Sequence, residues 1–216
     1  IVLFMSDNGP IDVVGNRAVG IWTNAEKKPP HTEDWNLRNP IDLIGRKGEV
    51  WDNGIRSPLL VRWPGKIAPA DRPELASSID IVPTMLAAAG AEIPSDLPGI
   101  NLLPYRTDGK PIDRDTIYGE SFAHDIADIE NPEASLLFRW AIEGKWKLLL
   151  TYDGQVNRYA STHPRREKRP QLFDLMSDPH ELHNVAANHA DVVKRLAAKI
   201  AQWYPVTQRK TLTVFE

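Results

Sequence analysis

The chain opens on the apolar run Ile1-Val2-Leu3-Phe4-Met5 and passes directly into Ser6-Asp7-Asn8-Gly9-Pro10. A short unbroken apolar run closed by turn residues is the pattern of a strand covered on both faces, as in a parallel sheet. Open α/β sheets place their sites outside the carboxyl ends of the strands, which is where Asp7 and Asn8 stand. Their carboxylate and carboxamide oxygens suit a hard cation such as calcium or magnesium, which needs further oxygen ligands to complete its shell. The same Asp-Asn-Gly triplet is also an ordinary turn sequence, favoured for backbone reasons alone. A strand at residue 1 with no element before it leads us to expect a chain that begins in the middle of a domain.

Composition limits the alternatives. A formal net charge of −3 over 216 residues gives no basic footprint for nucleic acid. No apolar run approaches the roughly 18 residues of a membrane span. Cysteine is absent, which excludes disulfides, zinc–thiolate sites and a cysteine nucleophile within these residues. The 18 prolines imply many fixed turns and loops on a rigid scaffold.

Local patterns predict the organisation. Residues 11 to 45 lack a clean period and read as a long loop with one short helix, the kind of segment that is usually functional or mobile. Ser57–Trp63 reads as a second buried strand closed by Pro64-Gly65. Asp80–Ala89 reads as a helix, with Asp80 at its N-cap and Gly90 beyond its end. Residues 91–116 form a Pro-, Gly- and Asp-rich connector, and Thr116–Gly119 is a short strand. Phe138–Ile142 and Lys145–Tyr152 flank Glu143-Gly144 as a β-hairpin, and Leu172–Leu175 is one more strand. Val192, Val193, Leu196, Ile200 and Trp203 share one face of a helix over about 190–204, ended by Pro205.

Other residues invite chemistry. Lys47 sits in Gly45-Arg46-Lys47-Gly48, a loop that can approach an anionic group closely, although the spacing is not that of a phosphate-binding P-loop. Without further context it reads as a solvated surface lysine. Arg56 is expected to fix its own turn by hydrogen bonds or an ion pair. His180, Glu181 and His183 do not have the H-E-x-x-H metal spacing and read as structural. Lys145, Trp146 and Lys147 read as a half-buried strand. Trp22 and Trp35 either stack on a sugar ring or hold the long loop down. Arg165 to Arg169 reads as a solvated charged loop.

Taken in order, several stretches resemble the sulfatase family of the alkaline-phosphatase superfamily. They are Ser6-Asp7-Asn8-Gly9, Gly45-Arg46-Lys47-Gly48, Asp52-Asn53-Gly54-Ile55-Arg56-Ser57-Pro58 and Arg62-Trp63-Pro64-Gly65-Lys66. Downstream come Asp80-Ile81-Val82-Pro83-Thr84, Gly144-Lys145-Trp146-Lys147-Leu148, Leu172-Phe173-Asp174-Leu175, and Asp178-Pro179 through Glu181 and Asn184. The family usually has Glu-Gly where this chain has Asp52-Asn53, and a Val where it has Ser57. Asn8 rather than His after the aspartate points to sulfatases over the superfamily's phosphatases.

The resemblance implies an α/β fold, the C-terminal part of an alkaline-phosphatase-like sulfatase. The edge of the main sheet is expected at 1–104, and a small antiparallel sheet with a C-terminal helix at 105–216. It implies a sulfuric ester hydrolase of the arylsulfatase type acting on a carbohydrate or aryl sulfate. Asp7 and Asn8 would ligate a divalent cation, most often Ca2+, and Lys47 would act as the catalytic, substrate-binding lysine that contacts the sulfate. The nucleophile would be a formylglycine matured within C-x-P-S-R or S-x-P-S-R in the N-terminal part of the same enzyme, because neither motif occurs here. The implied partners are that N-terminal part and a sulfated small molecule or glycan, and the implied location is periplasmic or secreted. Two other functions fit the same residues: hydrolysis of a phosphate or phosphonate ester, and non-catalytic binding of sulfated glycans.

Overall fold

The computed structural model describes residues 1–9, 13–14, 17–18, 45, 47–107, 111–155 and 167–206. In chain order its elements are β1 (Val2–Met5), β2 (Val13–Val14), β3 (Arg17–Ala18), α1 (Asp52–Ile55), β4 (Leu59–Arg62), α2 (Ile81–Ala88), α3 (Leu103–Thr107), β5 (Thr116–Phe122), β6 (Leu136–Glu143), β7 (Trp146–Thr151), β8 (Gln171–Asp174) and α4 (Ala190–Trp203). The chain divides into two units: residues 1–5 with 58–117, and residues 6–57 with 118–216.

In the first unit β1 pairs antiparallel with β4, Val2 opposite Arg62 and Met5 opposite Leu59. The neighbour it finds among the described residues is antiparallel, where a parallel one was expected. Val2 and Phe4 are each 59% exposed and Leu60 is 62% exposed, so the described residues cover one face of the pair. An apolar run records that a strand avoids water; it carries no information about the direction of its neighbour.

The helix expected from Asp80 is present. A 3-10 turn, Ser78–Asp80, leads into α2. Asp80 is fully buried, and its carboxylate accepts from the Ser77 and Ile100 backbone N–H groups and from both terminal nitrogens of Arg114, at 2.5 and 2.7 Å. Gly99, at φ +91°, lies so close to the carbonyl of Ile79 that a Cβ would sit 2.3 Å from that oxygen.

The second unit is built on an antiparallel sheet ordered β5-β6-β7-β8. The expected hairpin is β6 and β7, with Glu143 opposite Trp146 and Gly144-Lys145 as its two-residue loop. Gly144 has φ +54°, the positive value that the tight right-twisting hairpin turns demand. β7 is buried on both faces, which is why Leu148-Leu149-Leu150 runs apolar without alternation. Leu148, Leu150 and Tyr152 join Leu172, Val193, Leu196 and Ile200 in the core under α4. Leu149 belongs to a second cluster with Leu137, Phe138, Ala123 and Val50.

Four of the five residues of the apolar stripe expected on α4 are buried, Val192, Val193, Leu196 and Ile200, while Trp203, in its last turn, is 40% exposed. Its end is fixed by Arg139, whose guanidinium donates to the carbonyls of Ile200 and Tyr204 and to the Tyr152 hydroxyl. Cations at helix C-termini satisfy orphan carbonyls in this way.

Candidate functional site

Asp7 and Asn8 occupy the bend immediately after β1, and its two ends are fixed. At one end, the Ser6 backbone N–H donates to Ser57 Oγ at 2.9 Å while that hydroxyl donates back to the Ser6 carbonyl at 2.7 Å. At the other, the Gly9 N–H donates to the Gly54 carbonyl at 3.0 Å. The Ser6 hydroxyl spans the bend and donates to the Asn8 carbonyl at 2.9 Å. Gly9 is required by the close approach, since a Cβ there would stand 1.7 Å from the Asn53 carbonyl oxygen.

Within this frame the two side chains remain uncommitted. Asp7 is exposed and Asn8 half-buried. Among the described residues, neither the carboxylate nor the carboxamide makes a hydrogen bond or ion pair. The donor set fits a hard divalent cation. Among the described residues no cluster of three or more His, Asp or Glu side chains forms, and two oxygen donors alone do not complete the shell of such a cation.

Lys47 is exposed on the loop that leads into α1. That loop hangs on the same turn. The Asn53 side-chain amide donates to the Gly45 carbonyl at 3.0 Å, and Gly45, at φ +96°, lies against Trp51 closely enough that a Cβ would meet the Trp51 Cβ at 2.5 Å. The 6–9 segment and Gly45, at the head of the loop that carries Lys47, are therefore both tethered to residues 50–57. Asn53 supplies one of the tethers. Arg56 approaches Asp52 at 3.4 Å, as expected of a residue that fixes its own turn.

The turn is held from beneath by residues whose role the sequence did not disclose. Lys147 projects from β7 on the face that carries Leu149 and is fully buried. Its ammonium donates to the Val50 carbonyl at 2.9 Å, lies 2.5 Å from Glu181 Oε1 and stands 3.9 Å from Asp52 Oδ1. Glu181 is also buried, and its other oxygen accepts from the Asp52 backbone N–H at 2.6 Å. Burial raises the Glu181 carboxyl above the ordinary glutamate range, and the charge of Lys147 opposes that rise.

Glu181 adopts φ +50°, the left-handed region that non-glycine residues rarely occupy. Lys147 was expected on a half-buried strand; it is fully buried because β7 is covered on both faces here, which the sequence alone does not record. His183 lies on the same loop as Glu181 but serves the loop itself, its backbone N–H bonded to the Asp178 carboxylate at 2.9 Å. Trp22, Trp35, Arg165 and Arg166 lie outside the described residues.

The chain has relatives among known proteins. The family model described as N-sulphoglucosamine sulphohydrolase, C-terminal, matches residues 46–205. An N-acetylgalactosamine-6-O-sulfatase of Bacteroides thetaiotaomicron is 28% identical over 200 residues, covering 91% of this chain and 35% of its own length. Arylsulfatase A of Bos taurus is 34% identical over 173 residues, covering 73% of this chain and 32% of its own length. A solved structure concerned with the metabolism of multiple glycosaminoglycans by B. thetaiotaomicron superposes with a TM-score of 0.65 at 24% identity, covering 94% of this chain and 38% of that one. That likeness establishes the fold, the alkaline-phosphatase-like sulfatase α/β architecture. The chain thus spans about a third of the length of the curated relatives it matches. With a sulfatase C-terminal model matched over most of its residues, the chain belongs to the sulfatase family.

Proposed function

We propose that this chain is the C-terminal part of an enzyme that hydrolyses a sulfate monoester of a carbohydrate or aryl alcohol. The observation that carries the reading is the pair of uncommitted oxygen side chains, Asp7 and Asn8, on a bend fixed at both ends. Family membership supports it. Asp7 and Asn8 hold a divalent cation, most often calcium in this family, which neutralises charge on the sulfuryl oxygens when bound. Formylglycine, supplied by the N-terminal part of the same enzyme, provides the nucleophile.

The chain's own residues then have defined tasks. Asp7 contributes the charge of the metal site and Asn8 a neutral oxygen beside it. The Ser6–Ser57 and Gly9–Gly54 contacts keep both oxygens in place before substrate arrives, so little reorganisation accompanies the reaction. Lys47 presents its ammonium to the sulfate and stabilises the negative charge that grows as the ester bond breaks.

The test uses the full-length protein that contains this chain. Removing Lys47 as Lys47→Ala lowers kcat/KM for an aryl sulfate by about 10²- to 10³-fold, the usual consequence of losing one such charge-stabilising group, while bound calcium is retained. Asp7→Asn lowers calcium affinity and activity together. A Lys47→Ala variant with unaltered kinetics would remove Lys47 from the site.

A further inference from the structure

We infer that the buried Lys147–Glu181 pair is a positioning device for the site, fixing the Val50–Asp52 turn from which both the Asp7-Asn8 bend and the Lys47 loop are suspended. The inference rests on the proposed sulfatase reading and assigns roles to two residues outside the metal and sulfate contacts.

The connections run atom by atom through the second unit. Lys147 on β7 binds the Val50 carbonyl, and Glu181 on the loop after β8 binds the Asp52 N–H. The two charges meet at 2.5 Å, so they clamp either side of Trp51. From this fixed turn the Gly54 carbonyl takes the Gly9 N–H, Ser57 exchanges two hydrogen bonds with Ser6, and Asn53 holds Gly45. A shift of Val50–Asp52 is therefore transmitted to both ends of the bend carrying Asp7 and Asn8 and to the foot of the Lys47 loop.

The chemistry chosen for the clamp is informative. A fully buried ammonium and carboxylate stabilise a fold weakly, because desolvation offsets their attraction, and apolar replacements often serve as well or better. The geometry also holds Glu181 in a left-handed backbone conformation, and strain of this kind gathers at functional sites. What the pair supplies is direction: a carbonyl and an N–H in neighbouring peptides are each held by a charged group. Groups that orient metal ligands from behind change metal affinity or activity by about 10- to 100-fold when removed.

The experiment compares full-length wild type with Lys147→Met, Glu181→Gln and the double variant Lys147→Met/Glu181→Met. Thermal midpoint, calcium Kd by calorimetry, and KM and kcat for 4-nitrophenyl sulfate are measured for each. Lys147→Met leaves a buried carboxylate without its partner, so its midpoint falls. The double variant leaves no unpaired charge, so its midpoint recovers, yet its calcium Kd and KM stay raised by about tenfold or more. Glu181→Gln keeps an oxygen for the Asp52 N–H, so its calcium Kd and KM fall between those of wild type and the double variant, while the buried Lys147 ammonium, now without its carboxylate partner, lowers its midpoint as in Lys147→Met.

A double variant with wild-type midpoint, calcium Kd and KM would show the pair to be packing alone and overturn the inference. Wild type that binds calcium but turns over no sulfate ester would sink the sulfatase reading, while the calcium Kd of the variants still decides the positioning role. Wild type whose calcium binding is absent, or unaffected by Asp7→Asn, would overturn both.

Discussion

Gly9 shows how narrow the tolerance is at the scale of one residue. With a Cβ placed 1.7 Å from the Asn53 carbonyl oxygen, Gly9→Ala must push the bend away from α1 and break the Gly9–Gly54 bond. The expected result is a calcium Kd at least tenfold weaker, of the size seen when outer-shell support is lost. Calorimetry on the full-length protein checks it.

A second residue bears on acid stability. Glu167 pairs with Arg169, whose side-chain and backbone hydrogen bonds bring its carboxyl down to about 2 from 4.5. A depressed carboxyl contributes stability that is present above 4.5 and is lost as pH falls through about 2. Arg169 is exposed and Glu167 half-buried, so solvent still screens the pair and keeps the effect small. Glu167→Gln should lower the thermal midpoint at neutral pH by about one to two degrees, and the gap should close in melts recorded on descending from pH 4.5 towards 2.

Legibility at this scale follows chemistry. Asp7 and Asn8 stand out as candidates because oxygen donors follow an apolar run directly. Lys147 and Glu181 did not, because a buried charge and a solvated one are written with the same letter. Only the cover on both faces of β7 distinguishes them.

At the scale of the element, α4 and the β6–β7 hairpin were the most legible parts. The helix bears its apolar residues at helical spacing, and the hairpin encloses a glycine that its turn requires. Leu196 is fully buried in the cluster of Leu148, Leu150, Leu172 and Ile200, so Leu196→Ala should cost about 2–5 kcal/mol. Chemical denaturation would show this as a lower midpoint with an unchanged slope.

The start of α2 makes a sharper prediction. Arg114→Ala leaves the Asp80 carboxylate, fully buried, without the two guanidinium bonds it now accepts. Breaking a buried pair from one side costs about 3–5 kcal/mol, and the double variant Asp80→Asn/Arg114→Ala should recover part of the loss in the same denaturation experiment. The direction of β1 was the least legible feature. Val2-Leu3-Phe4-Met5 would read the same beside a parallel or an antiparallel neighbour, and the hydrogen bonds to β4, contributed from more than fifty residues away, made the choice.

For the whole molecule, the order of motifs carried more information than any one of them. Ser-Asp-Asn-Gly alone is a turn, and Gly-Arg-Lys-Gly alone is a surface loop. The structure shows why they occur together, since residues 50–57 bind both segments and are themselves held by β7 and the loop after β8. In the proposed reading, Asp7, Asn8 and Lys47 act as parts of one constellation. The measurement that tests this account most directly is the turnover of 4-nitrophenyl sulfate and 4-nitrophenyl phosphate by the full-length protein, before and after chelation and calcium add-back, in wild type and Asp7→Ala. The account predicts that sulfate is preferred, that its hydrolysis disappears with the metal and returns with calcium, and that Asp7→Ala is not restored. Preference for phosphate, or sulfate turnover that survives both chelation and the loss of Asp7, would contradict it.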